Sequence, residues 1–185
     1  MLRIIGGRWR SRKLTFPDRP GLRPTPDRVR ETLFNWLQAD LPGSHCLDLF
    51  AGSGALGLEA ASRGAADVLM LEHDAQAASA LAGNIDVLAA AQSNVLQRDT
   101  IAFLRAGRTS SMPRFDIVFI DPPYQSGLAE PCCALLEQGD WLAAKAKIYL
   151  ECEAASALLV PQRWQLIKQK RAGQVAYHLF TTSQE

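Results

Sequence analysis

The sequence predicts an α/β fold, a mostly parallel seven-stranded sheet that ends in an antiparallel hairpin and carries a small basic N-terminal extension. Three observations predict it. From residue 45 onward, short β-rich runs alternate with helical ones, the pattern of βαβ units around a sheet buried on both faces. The last two strands are joined only by Arg171-Ala172-Gly173, too short for a parallel crossover, so they run antiparallel. Ahead of the sheet, residues 1–30 hold nine basic side chains against two acidic ones, while the remainder holds eleven against seventeen. The net charge of +1 therefore conceals a basic extension on an acidic body, a division suited to meeting a polyanion.

Taken in order, Arg3-Ile4-Ile5-Gly6-Gly7-Arg8-Trp9-Arg10-Ser11-Arg12-Lys13-Leu14 reads as a hairpin or extended arm with Gly6-Gly7 as its turn. Pro17, Pro20, Gly21 and Pro24 then forbid regular structure, so residues 1–24 are set apart as a basic arm and 25–185 as the main domain. Thr25-Pro26 opens a helix by capping residue and first-turn proline, and Val29, Leu33, Trp36 and Leu37 give it one apolar face. Strands follow at Cys46–Phe50, Val68–Glu72, Asn94–Arg98, Phe115–Asp121, Lys147–Cys152, Trp164–Lys170 and Gln174–Thr181. Helices are expected at about 55–63, 75–91, 100–106, 126–138 and 154–159.

Composition bounds the function. With 185 residues, 48% hydrophobic and 21% charged, the chain matches an ordinary globular domain. No apolar stretch approaches the roughly 18 residues of a membrane span, and Met1-Leu2-Arg3 leads into no apolar signal region, so a cytoplasmic protein is expected. Cys46, Cys132, Cys133 and Cys152 form no C-x-x-C pair, and His45, His73 and His178 are scattered. Reduced structural thiols and no metal are expected.

The segment Leu47-Asp48-Leu49-Phe50-Ala51-Gly52-Ser53-Gly54-Ala55-Leu56-Gly57 runs from a strand through a glycine loop into a helix, a Rossmann-like cofactor site. Such a loop alone also fits nicotinamide and flavin. Glu72 ends the next strand, where a carboxylate accepts from both ribose hydroxyls. Asp48, four residues before Gly52, can reach an ammonium directly or through water, yet would repel a pyrophosphate. This favours S-adenosylmethionine, a cationic ligand without phosphates, over NAD. Asp99 with Thr100 follows the third strand, either as an adenine acceptor or as a plain helix cap. Ala51, Ser53 and His73 join the candidate cofactor wall by adjacency.

A buried strand next delivers Asp121-Pro122-Pro123-Tyr124 to the same edge of the sheet. Asp and Pro also make simple turns, but this turn stands beside a methyl-donor loop. Consecutive prolines remove two backbone donors and leave carbonyls that only accept. An exocyclic amino nitrogen is a poor nucleophile because its lone pair is delocalised. The Asp121 carboxylate and the Pro122 carbonyl can each take one N–H, orient the group and stabilise charge developing at nitrogen. Tyr124 offers a ring for stacking the base.

The tetrapeptide resembles the fourth motif of amino-group methyltransferases acting on adenine N6, guanine N2 or glutamine amide, and Asp48 to Gly54 resembles their first motif. Three flanking segments carry a more specific likeness: Arg3-Ile4-Ile5-Gly6-Gly7-Arg8-Trp9-Arg10, Gly21 to Leu37, and Ala172-Gly173-Gln174-Val175-Ala176-Tyr177. Through them the chain is similar over nearly its full length to the RsmD family of bacterial 16S ribosomal RNA guanine-N2 methyltransferases. Pro26 departs from the polar residue expected there. The resemblance implies a class I S-adenosylmethionine-dependent methyltransferase acting on one guanine of 16S ribosomal RNA in an assembled or assembling 30S subunit; a monomer is expected.

Arginines interleaved with an aromatic suit phosphate contact and base stacking. Arg8, Trp9, Arg10, Arg12 and Lys13, with Arg23, Thr25 and Arg28 beyond them, are therefore the expected RNA contacts. Other readings share parts of this pattern. DNA adenine-N6 methylation would call for a target-recognition domain, which is not evident, and glutamine methylation favours Asn at the first motif position. A non-catalytic RNA-binding assembly factor would not need Asp48, Glu72, Asp99 and Asp121 intact. A nicotinamide oxidoreductase is disfavoured by Asp48.

Overall fold

The computed structural model describes residues 2–17, 25–154 and 159–183. Its N-terminal part pairs β1 (Leu2–Arg3) with β2 (Lys13–Leu14), antiparallel, around a 3-10 turn at Gly7–Trp9. The helix α1 (Asp27–Trp36) follows. Then come β3 (His45–Asp48), α2 (Gly57–Ser62), β4 (Asp67–Glu72), α3 (Ala75–Leu88), β5 (Ser93–Gln97) and α4 (Thr100–Ala106). The chain continues with β6 (Phe115–Ile120), α5 (Ala129–Gln138), β7 (Leu142–Glu153), β8 (Trp164–Ala172) and β9 (Val175–Thr182). The expected helix at 154–159 falls mainly on residues outside those described.

The seven strands lie in the order β5-β4-β3-β6-β7-β9-β8, with β9 antiparallel to both β7 and β8. β3 pairs in parallel with β4 on one side and β6 on the other, so the chain order reverses beside it. A ligand of an open α/β sheet sits at such a switch point, outside the carboxyl ends of the strands.

Alternation along the strands sorts the core into two layers. Cys46, Val68, Met70, Ile117, Phe119 and Tyr149 face a cluster built with Leu33 and Phe34 of α1, Leu58 of α2 and Leu81 of α3. Leu47, Leu71, Val118, Ile120, Ile148 and Leu150 face the other, closed by Phe103 of α4 and by Cys132, Cys133 and Leu136 of α5. Cys132 and Cys133 are buried free thiols, as is Cys46.

The N-terminal extension differs from a free arm. Leu2, Ile4, Trp9 and Leu14 belong to the first core cluster. Glu59 of α2, fully buried, accepts from the backbone N–H of Ile5 at 2.7 Å and of Gly6 at 2.8 Å. Ser62 Oγ donates to Gly6 and accepts from Trp9 N–H, while Asn84 of α3 bonds Thr15 through both its amide groups. Gly7 sits at φ +74°, and a Cβ there would meet the Ser62 carbonyl oxygen at 1.9 Å. Only glycine permits that approach. The turn therefore spans a longer loop than Gly6-Gly7 alone, because Ser11 N–H closes on the Ile4 carbonyl.

Candidate active site

Four strands each bring one carboxylate to the carboxyl edge of the sheet. Asp48 and Glu72 end β3 and β4, Asp121 follows β6, and Glu151 lies near the end of β7. Strand alternation continues through them, so all four fall on the face shared by Cys46, Met70, Phe119 and Tyr149. Among the described residues none is in a salt bridge, whereas Glu59, also buried, is paired with Arg30 and Arg63. Burial pushes the Asp48 carboxyl up to about 7, against the lowering hydrogen bonds it accepts from Phe50 and Gly57, with Asp121 and Glu72 adding to the rise. Burial likewise raises Asp121 to about 6, offset in part by a hydrogen bond from Thr25.

The glycine loop is shaped by two of these carboxylates. Asp48 Oδ2 accepts from Gly57 N–H at 3.0 Å, and Glu72 Oε2 accepts from Gly52 N–H at 2.8 Å. Gly54 adopts φ +78°, where a Cβ would strike Leu81 Cδ1 at 2.4 Å. Asp48 is 1% exposed, so its oxygens organise the loop and a ligand ammonium meets it best through an intervening group. Ala51 and Ser53 are buried walls, and His73 is exposed at the rim. Asp99 is the N-cap of α4, accepting from Ala102 N–H at 2.8 Å, and remains exposed at the edge. Thr100 is corrected: it is buried and its hydroxyl donates to the Leu49 carbonyl at 2.6 Å, a structural bond between α4 and the loop.

Beyond β6, Pro122 is half-buried and Tyr124 is 61% exposed, a free ring beside the edge. Thr25 is a second correction. Its hydroxyl was expected to cap α1 and its surface to meet RNA, yet Pro26 is the N-cap and Thr25 is buried, donating to Asp121 Oδ2 at 3.0 Å. Trp9 is a third, because its ring is 6% exposed and packed in the core, with no face open for a base. Arg8, Arg10, Arg12, Lys13 and Arg28 are exposed; Arg12 also touches the Val87 carbonyl. Arg23 lies outside the described residues. Sequence reasoning missed Glu151, and its signal was an acid closing an otherwise apolar strand. It also missed Glu59, an acid inside an apolar helix.

The family described as Conserved hypothetical protein 95 matches residues 2–181. Ribosomal RNA small subunit methyltransferase D of Escherichia coli strain K12 is 50% identical over 180 residues, covering 97% of this chain and 89% of that protein. This chain belongs to the ribosomal RNA small subunit methyltransferase D family. The Haemophilus influenzae methyltransferase D is 45% identical over 181 residues, 97% of this chain and 93% of that one. A solved Escherichia coli structure, described as a candidate methyltransferase yhhF, superposes with a TM-score of 0.91 at 46% identity, covering 98% of each chain. A Salinibacter ruber RNA methyltransferase solved with S-adenosyl-L-homocysteine shares the fold, with a TM-score of 0.64 at 16% identity over 88% of this chain and 95% of that one. The methyltransferase D fold is thus the α/β, Rossmann-like class I architecture that the strand order describes.

Proposed function

We propose that this methyltransferase D family member transfers a methyl group from S-adenosylmethionine to the exocyclic N2 of a guanine in 16S ribosomal RNA. Its substrate is the RNA of an assembled or assembling 30S subunit in the cytoplasm, and the enzyme acts as a monomer. The observation that carries the reading is Asp121-Pro122-Pro123-Tyr124 standing at the switch-point edge beside the glycine loop. The names of the relatives at 50% and 45% identity support the RNA substrate.

The donor set fits the cofactor. Four carboxylates converge on one face with no cation paired to them among the described residues, and the buried ones are costly to ionise without a counter-charge. A ligand carrying a sulfonium and an ammonium supplies that charge, and a pyrophosphate would oppose it. Glu72 and Asp99 stand where ribose and adenine would be held, with Ala51 and Ser53 as walls and His73 at the rim. When bound, the cofactor supplies an electrophilic methyl group.

The remaining work belongs to the chain. Asp121 and the Pro122 carbonyl each accept one N–H of the base amino group and so aim its lone pair. As nitrogen becomes cationic in the transition state, the Asp121 carboxylate stabilises it and is placed to accept the proton it sheds. Tyr124 stacks the base, a contact worth about 1 to 3 kcal/mol. The exposed cations Arg8, Arg10, Arg12, Lys13 and Arg28 hold the surrounding phosphates, and Arg23 is assigned with them. The target guanine must leave its stack to reach Asp121.

The deciding experiment incubates the enzyme and radiolabelled S-adenosylmethionine with 30S particles from cells lacking this activity, followed by nucleoside analysis. Label in N2-methylguanosine is expected; label only in another nucleoside, or in none, refutes the reading. In the same assay Asp121→Ala should lose at least about 100-fold in kcat while still binding the cofactor.

A further inference from the structure

Glu151 lies outside the recognised motif, yet the sheet register places it against the motif's central residue. Ile120 of β6 pairs with Leu150 of β7, so the next residues, Asp121 and Glu151, stand side by side on strands about 4.8 Å apart. Both lie on the face of the first core cluster, as the alternation from Phe119 and Tyr149 requires. Tyr149, fully buried between the rings of Phe119 and Tyr177, donates its hydroxyl to Glu151 Oε1. On the other side of the pair, Thr25 donates to Asp121 Oδ2. Each carboxyl thus has one oxygen held by a hydroxyl donor, and no described cation neutralises either.

We propose that Glu151 is a positioning residue that acts through Asp121, the two forming a carboxylate pair that releases a proton when the cationic methyl donor binds and regains one from the substrate nitrogen. The inference rests on the function proposed above. The charges balance at each stage. The bond between sulfur and the methyl carbon breaks with its electron pair left on sulfur, which becomes a neutral thioether. The nitrogen lone pair forms the new N–CH₃ bond, and the N–H proton passes to the Asp121 side of the pair. The site therefore exchanges a sulfonium charge for a proton, and no excess charge is left buried.

The titration of the two groups agrees with that role. Burial raises Glu151 to about 8, and the negative charge of Asp121 raises it further, while Asp121 itself lies at about 6. Between those values the pair holds one proton without the donor, and it titrates in two steps. The other groups facing it are Tyr149 on β7, Tyr177 opposite Glu151 on β9, Glu153 at the end of β7, and the carboxylates Asp48 and Glu72 across the edge. Cys152 and His178 occupy the opposite face of the sheet. Lys147 of β7 and Lys170 of β8 also lie on the pair's own face, Lys147 paired with Asp40 and Lys170 set beyond Tyr177. Among the described residues neither is in a salt bridge with Asp121 or Glu151, so an incoming cation at the edge lowers the pair's affinity for protons.

Calorimetry in buffers of different ionisation enthalpy, at a pH between the two steps, counts protons released on ligand binding. S-adenosylmethionine should release more than S-adenosylhomocysteine, which lacks the sulfonium charge. Glu151→Gln should lose most of that excess, Asp48 retaining the remainder; an undiminished excess overturns the proposal. Carbon-13 spectra of the side-chain carboxyls give a test free of any ligand. In Asp121→Asn the Glu151 step should fall below about 8, and an unmoved step overturns the pairing. No RNA enters either measurement, so failure of the ribosomal reading leaves them standing. A wild-type chain that binds neither ligand overturns the cofactor reading and this inference together.

Discussion

Asp121 shows how much one hydroxyl can decide. Its carboxyl is drawn up by burial and drawn back by the Thr25 hydrogen bond, which favours the charged form. Thr25→Val keeps the shape and removes the donor. The Asp121 midpoint should then rise, and the acid limb of the pH profile of kcat/KM should move to higher pH. A limb that stays in place or moves down contradicts the assigned bond. The Asp121 side chain was legible in the sequence because its two prolines mark it. Thr25 was legible as a helix cap and an RNA contact but not as a partner of Asp121, which lies 96 residues away.

At the scale of elements, α2 is the anchor of the N-terminal extension. Glu59 holds Ile5 and Gly6 by their backbone N–H groups and is neutralised by Arg63 Nε at 2.6 Å and by the buried Arg30. Breaking a buried pair from one side costs roughly 3 to 5 kcal/mol, because the surviving charge is stranded. Glu59→Ala should therefore lower unfolding free energy by about that amount in urea titration and expose residues 8–14 to proteolysis. A loss under about 1 kcal/mol would show that the bonds are replaceable by water. The described strands and helices followed their expected periods, but their ends did not. β7 begins at Leu142 rather than Lys147, extended by an irregular register between Phe115 and Ile117 that no local pattern encodes.

Across the whole molecule, charge separates into an acidic edge and a basic rim. Asp48, Asp121 and Glu151 titrate in the folded chain at about 7, 6 and 8, above ordinary values of 3.8, 3.8 and 4.5. Acids raised on folding contribute stability that is full below their unfolded values and lost as pH rises through the folded ones. Without ligand, the protein should lose stability between about pH 4 and pH 8 on this account, and Asp48→Asn should flatten that slope in thermal melts. An unchanged slope would remove Asp48 from the account. The rim is tested by replacing Arg8, Arg10, Arg12 and Lys13 with Ala. RNA binding should weaken, and the slope of its salt dependence should flatten by about 0.7 to 0.9 for each phosphate no longer neutralised. Unchanged affinity would mean those side chains are merely solvated.

The sequence by itself determined the strand order's raw material, the glycine loop, the amino-group motif and the division of charge. Each is local, written in periodicity or in a few adjacent residues whose backbone chemistry admits one use. Only the tertiary structure decided that Trp9 is core, that Thr25 and Thr100 spend their hydroxyls inside the protein, and that Glu151 stands beside Asp121. Those facts depend on which strand lies next to which and on what burial costs a polar group. Both are set by contacts between residues far apart in the chain.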